Sequence, residues 1–167
     1  MDSDSMGTTM DIRFADEADF DTILGLVNRA FQVESFFIDG DRLDPERLRG
    51  YFDKGRFLVV EENGALVGCI CVELQSDHSY LGLLSVEPSL QRVGLGRRLV
   101  AAAEEFARNM GSNRMELTVV HLRTELPAFY EKLGYKVVGT EPIRKEMETR
   151  VTQPCHFIRM AKALRGA

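Results

Sequence analysis

A chain of 167 residues is long enough to bury a core and short enough for one domain. Apolar residues make up 44% and charged residues 28%, a balance that excludes long disorder, and no apolar run reaches the length of a membrane span. A net charge of −5, from 21 basic and 26 acidic residues, argues against non-specific nucleic-acid binding and mildly favours a cationic substrate such as an amine.

Residues 1–10, MDSDSMGTTM, lack the basic and apolar regions of a signal peptide. They read as a disordered leader or cloning remnant ahead of a single domain over 11–167. DIRFA (11–15) reads as a short strand. Asp16 is then placed to cap a helix whose Phe20, Ile23, Leu24, Val27, Ala30 and Phe31 form a one-sided stripe. Residues 32–42 have no period and read as a loop. Asp44 and Pro45 open a second helix as cap and first residue, running to about Tyr51.

The middle of the chain is rich in strands. RFLVVEENGALVGCICVEL holds two apolar runs joined across Asn63-Gly64, a hairpin turn signal. A second reversal over 76–79 leads into YLGLLSV. Runs this continuous point to central strands covered on both faces. After Pro88, a helical face forms from Leu95, Leu99, Ala102, Ala103, Phe106 and Met110, with Gly111 as its stop. MELTVV follows as a strand, with Met115, Leu117 and Val119 on one side and Glu116, Thr118 and Val120 on the other. Thr124 is placed to cap a short helix holding Leu126, Phe129, Tyr130 and Leu133, ended by Gly134. YKVVG and CHFIRMA read as the last two strands. The three cysteines, Cys69, Cys71 and Cys155, form no disulfide framework and no zinc spacing. They read as small buried residues in a reduced, cytoplasmic setting, and no metal site is expected.

Two segments carry chemistry. In LLSVEPSLQRVGLGRRL (83–99) a strand gives way to a helix through a short loop, exposing unpaired backbone N–H groups to a phosphate. Gly94 and Gly96 let the backbone approach a bulky anion, and Arg92, Arg97 and Arg98 add charge. No G-K-[ST] follows, so this is no P-loop, and Leu99 stands where a dinucleotide fingerprint needs its third glycine. In LPAFYEKLGYKVVG (126–139), Phe129 and Leu133 read as core. Tyr130 is the residue able to bury its ring and aim a hydroxyl into a cleft.

Together the segments resemble the GCN5-related N-acetyltransferase (GNAT) superfamily. Q-R-V-G-L-G at 91–96, behind the V-E-P strand end, is similar to the family's pyrophosphate motif, and F-Y-E-K-L-G-Y at 129–135 to its second signature. The resemblance covers 57–139. It implies an α/β (α+β) fold with a mixed, mostly antiparallel sheet of about seven strands and helices on both faces. It further implies acetyl-CoA as cosubstrate, with the pantetheine arm in a gap between the strands ending at Val86 and Val120. The arm would pair with the main chain of Leu84, Ser85 and Val86, and the pyrophosphate would sit on the amides of Arg92, Val93, Gly94, Gly96 and Arg97 beside Gln91. The acetyl group would lie near Tyr130.

The chemistry itself sets the residue types. An amine is mostly protonated below pH ~10.4, while a thiol has a pKa of ~8.5 and a tyrosine ~10. The protein must therefore take a proton from the amine and support charge on the departing sulfur. Tyr130, in the position of the family's general acid, would donate to the sulfur, a transfer uphill by roughly 2 kcal/mol on those values. It therefore acts partly as a hydrogen-bond donor. The amide of Val86 or a neighbour would polarise the thioester carbonyl. Glu73, at the end of an apolar strand, is either a carboxylate where the strand reaches solvent or the first candidate base, acting through a water, ahead of Glu116 and His121, and Glu87 shapes the strand end. Arg123 stands where many family members carry an asparagine seven residues before the tyrosine.

The expected function is acetyl transfer to a primary amine of a small molecule or peptide; the alternative is a non-catalytic acyl-CoA sensor. The loops at 32–42 and 141–153 are expected to wall the acceptor cleft. Phe36 and Phe37 either line that cleft, make a homodimer contact or pack inward, with packing as the default.

Overall fold

The computed structural model describes residues 11–91 and 94–164. Seven strands form one sheet in the order β1-β2-β3-β4-β5-β7-β6: β1 (Ile12–Phe14), β2 (Arg56–Glu62), β3 (Ala65–Leu74), β4 (His78–Val86), β5 (Arg114–Val120), β6 (Lys136–Pro142) and β7 (His156–Ala163). All neighbours are antiparallel except β4 and β5. A parallel pair needs a crossover, here the helix α3 (Leu95–Asn109). The other helices are α1 (Phe20–Ala30), α2 (Pro45–Lys54), α4 (Glu125–Lys132) and α5 (Lys145–Glu148). The expected mixed, mostly antiparallel sheet is what forms.

Strand β2 shows why the apolar runs are continuous. Leu58 and Val60 join the core under α3 with Ile70, Leu95 and Leu99, whereas Phe57 and Val59 join the core under α1 and α2 with Ile23, Leu26 and Leu48. Cys69 and Cys71 point to that second face and are buried, free thiols, so reading them as small apolar residues holds. Strand β4 instead alternates buried and half-buried positions as far as Ser85, because one side of it faces a cleft.

Local signals did most of this work. Asn63 and Gly64 both take positive φ, 54° and 83°, as a tight hairpin turn requires. The Asp44 side chain accepts from the Arg47 amide and Pro45 begins α2. Gly111, at φ 97°, ends α3.

Several expectations need correction. Asp16 does cap, but onto a 3-10 turn (Glu17–Asp19) that precedes α1, with Asp19 returning the bond to the Asp16 amide. Leu26 belongs to the α1 stripe, and Val100 and Ala107 to that of α3, where Met110 is 59% exposed. Residues 31–36 form a 3-10 helix rather than an open loop. Thr124 sits at the N-cap of α4 without a side-chain capping bond. Phe37 packs inward, while Phe36 is 52% exposed.

Asn28 ties α1 to the segment before α2, donating to the Leu43 carbonyl at 3.0 Å and accepting from its amide at 2.8 Å. Removing both bonds by Asn28→Ala is expected to cost about 1–3 kcal/mol in urea unfolding, with the fold retained.

Candidate active site

Strand β4 carries the local irregularity that makes the site. Cys69 opposes Ser85 and Cys71 opposes Gly82, so Leu83 and Leu84 together face Ile70 alone, which is a β-bulge. Leu83 takes φ 55°, a left-handed conformation that costs a non-glycine residue about 1–2 kcal/mol. Its side chain, 6% exposed in the core under α1, holds it there. Beyond the bulge β4 parts from β5. The two pair only where His78–Tyr80 meets Arg114–Glu116, though β4 runs to Val86 and β5 to Val120. The strands implied to diverge at Val86 and Val120 do diverge, and the edge of β4 facing β5 is left for another partner.

Two cavities occupy the split and share Leu84, Arg123 and Leu126. One is an open groove of about 830 Å³ along Leu84, Val86, Gln91, Gly94, Gly96 and Arg97. The other, of about 370 Å³, lies deeper and includes Glu73, Tyr80 and Tyr130. Six of the nine residues proposed to hold the cofactor thus line one groove. Ser85 is not among its lining residues; its side chain is buried and donates to the Leu83 carbonyl at 3.0 Å, leaving only its main chain for the role. Arg92 and Val93 lie outside the described residues.

The groove ends on the first turn of α3. Gly94 caps that helix at φ 80° and offers no side-chain bond to its amides. Those N–H groups and the positive end of the helix dipole are what a phosphate binds. The two glycines differ. A side chain at Gly94 is strained by its backbone angle alone, whereas a Cβ at Gly96 meets Phe129 at 3.5 Å and Leu84 at 3.8 Å, ordinary contact distances. Gln91 donates to the Val86 carbonyl at 3.1 Å and so fixes the end of β4. Glu87 is gripped by Arg29 of α1, through Nε at 3.1 Å and Nη2 at 3.0 Å, which fits its reading as a shaping residue. Phe129 and Leu133, read as core, are only partly buried because they also line the groove.

Tyr130 is 7% exposed, and its ring packs edge-on against Phe129 and Tyr135. Its hydroxyl makes no hydrogen bond among the described residues. Burial pushes its pKa up, with Arg123 pulling modestly the other way. Tyr135 shows the contrasting case of a satisfied tyrosine: its hydroxyl donates to Glu104 at 2.8 Å, and Lys162 closes on the same carboxylate at 2.9 Å.

The candidate bases separate clearly. Glu73 lines the inner cavity and makes no ion pair among the described residues. Glu116 is buried and held by Arg114 at 2.6 Å, so its carboxylate is engaged. His121 stacks on His156 at 4.1 Å and lines neither cavity. Arg123, the departure from the family pattern, donates to Glu34 at 2.9 Å and to Glu125 at 2.8 Å. It therefore fastens the loop before α4 to the 3-10 helix at 31–36.

The loops at 32–42 and 141–153 do contribute to the inner cavity, through Glu34, Arg42, Glu141 and Arg144. Ile38 bridges Val151, and the Asp39 amide donates to the Arg150 carbonyl at 2.8 Å, joining the two loops. Sequence reasoning named none of these four cavity residues. Charged residues in irregular segments are ordinarily solvated, and only their recurrence in two loops expected to wall one cleft hinted otherwise. Among the described residues no group of three or more His, Cys, Asp or Glu is placed to hold a metal, and no helix is long and apolar enough to cross a membrane.

The sequence model of the Acetyltransferase (GNAT) family matches residues 22–135, more than half of the chain. The chain belongs to the GNAT acetyltransferase family. It is 27% identical over 95 residues to the uncharacterized protein YdhI of Bacillus subtilis, a match covering 57% of this chain and 58% of that one. To acetyltransferase ECA0875 of Pectobacterium atrosepticum it is 25% identical over 138 residues, covering 83% and 96%. Among solved structures it is similar in fold to yncA of Salmonella typhimurium, determined with its cofactor acetyl-CoA. The TM-score there is 0.74 at 24% identity, over 95% of each chain.

Proposed function

We propose that this GNAT protein moves the acetyl group of acetyl-CoA directly to a primary amine of a small molecule or peptide. One observation carries the reading. Tyr130, 7% exposed and with no hydrogen-bond partner for its hydroxyl among the described residues, lines a cavity that shares Leu84, Arg123 and Leu126 with a groove ending on a helix N-terminus without a side-chain cap.

The residues fit the cosubstrate. The opening amides of α3, with Gly94, Gly96 and Arg97, suit a pyrophosphate, and the unpaired edge of β4 at Leu84, Ser85 and Val86 suits an extended pantetheine arm. Acetyl-CoA supplies an activated thioester. The amine nitrogen bonds to the carbonyl carbon, the carbon–sulfur bond breaks, and the sulfur departs with the electron pair. Glu73 accepts the surplus ammonium proton, directly or through a water. Tyr130 donates its O–H to the leaving sulfur. Because burial raises its pKa, it works as a hydrogen-bond donor more than as a full acid. The buried free thiols of Cys69 and Cys71 support a reducing, cytoplasmic setting. Exposed Phe36 is the position on which a homodimer contact would draw.

The cosubstrate half of this reading is tested by calorimetric titration with acetyl-CoA. Saturable binding at one site per chain is expected, weakened by inorganic pyrophosphate. Absence of binding contradicts it.

A further inference from the structure

The inner cavity holds an arginine with unused hydrogen-bonding capacity. The Arg42 side chain is 16% exposed, yet its guanidinium makes no hydrogen bond among the described residues. It lies 4.9 Å over the Phe31 ring, and its nearest carboxylate oxygen, Glu34 Oε1, is 3.9 Å from Nη1. Five N–H donors fixed in a planar fork are poorly used by those two neighbours. Arg144 lines the same cavity and also makes no side-chain hydrogen bond among the described residues; its ion-pair partner Glu146 is 3.6 Å away.

The charges of the cavity divide into those already satisfied and those still open. Glu34 is 3% exposed; Arg123 holds its Oε2 at 2.9 Å, while its Oε1 has no hydrogen-bond partner among the described residues and lies 3.9 Å from Arg42, so two guanidiniums share this one carboxylate. Glu141 pairs with Arg159 at 3.6 Å. What faces the cavity uncommitted is therefore the guanidinium of Arg42, the weakly engaged Arg144 and the carboxylate of Glu73. Arg42, Arg144 and Glu73 also line a second cavity beside α2, and so stand at the junction of the two spaces. A positive pair beside a single negative group is the complement of a small zwitterion.

We infer that the acceptor carries a carboxylate as well as its amine, as an amino acid does, with Arg42 and Arg144 binding the carboxylate and Glu73 facing the ammonium. This deepens the transferase reading and rests on it. Arginine suits the task because its fork matches a carboxylate bidentately. A space of about 370 Å³ suits a small molecule. The overall charge of −5 points instead towards cationic acceptors, but the local charge lining the cavity decides binding there.

The test compares matched acceptors, free amino acids against their carboxamides, with polyamines and N-terminal peptides alongside, by thiol release from acetyl-CoA. The free acids are expected to be preferred in kcat/KM by roughly 30-fold or more, the difference lying mainly in KM. Arg42→Gln is expected to collapse that acid-to-amide ratio towards unity. Arg144→Gln, at a side chain 42% exposed, tests the same ratio with little risk to folding. Preference for amides, polyamines or peptides overturns the inference while leaving the transferase reading in place. So does an acid preference that survives both substitutions. If no acid reacts at all the inference is overturned, and the acetyl-CoA titration decides separately whether the cosubstrate assignment stands.

Discussion

Tyr130→Phe is expected to lower kcat by about 100- to 1,000-fold while the Kd for acetyl-CoA stays within about twofold. The substitution removes one oxygen that has no hydrogen-bond partner among the described residues and keeps the ring that packs on Phe129 and Tyr135. Stability should therefore hold, because no hydrogen bond to a described residue is lost and the ring packing is kept. The matching change at Tyr135 is different in kind. Tyr135→Phe abandons a bond to Glu104, whose other oxygen is held by Lys162, so it should weaken stability. Rapid-mix kinetics with saturating acetyl-CoA, together with thermal melts of both variants, separate the chemical role from the structural one. A Tyr130→Phe protein of unchanged kcat removes Tyr130 from the reaction.

Gly96→Leu is expected to raise the Kd for acetyl-CoA by between about 100- and 1,000-fold, the loss of two or so charge-assisted amide contacts. The Cβ itself has room, at 3.5 Å from Phe129, but the remaining side chain grows into the groove that the pyrophosphate is proposed to fill. Helix propensity favours leucine over glycine, so the melting temperature should not fall much. Gly94 is a poorer probe of the same idea. At φ 80° any side chain there costs about 1–2 kcal/mol before a ligand is considered. Calorimetry and thermal melts on Gly96→Leu check the point. Equal losses in affinity and stability would make Gly96 a packing residue and dissociate the phosphate from α3.

The contrast between these sites and the acceptor pocket explains what the sequence could convey. Turns and caps are local, so Asn63-Gly64, Asp44-Pro45 and Gly111 announced their conformations, and the apolar runs of β2 and β3 announced burial on both faces. The glycine turn proposed to hold a phosphate was legible because glycines and a helix start lie within six residues of one another. Leu83 gave no such signal. Its positive φ is enforced by tertiary packing, and nothing about a leucine between Gly82 and Leu84 advertises a bulge. Thr124 misled in the other direction, since its backbone is already helical and its hydroxyl makes no capping bond. The wall of the inner cavity was hidden most deeply. Glu34 and Arg123, in contact, stand 89 positions apart, and Arg42 and Arg144 line one cavity between two irregular loops that the Ile38–Val151 bridge joins. No window of sequence contains that contact. Sequence did single out Tyr130 over Tyr135, through its place on the helix beside an apolar stripe and in the position of the family's general acid; that one hydroxyl is unpartnered and the other bonded is a fact of packing alone.

The most direct test of the account is thiol release from acetyl-CoA in the presence of amines, spanning amino acids, amino-acid amides, polyamines and peptides with free N-termini. The account predicts release that depends on the acceptor, exceeds the hydrolysis background, saturates with amine and falls about 100-fold or more in Tyr130→Phe. Acetyl-CoA that binds but releases no thiol with any amine in the panel would contradict transfer and favour a protein that only senses the acylated cofactor.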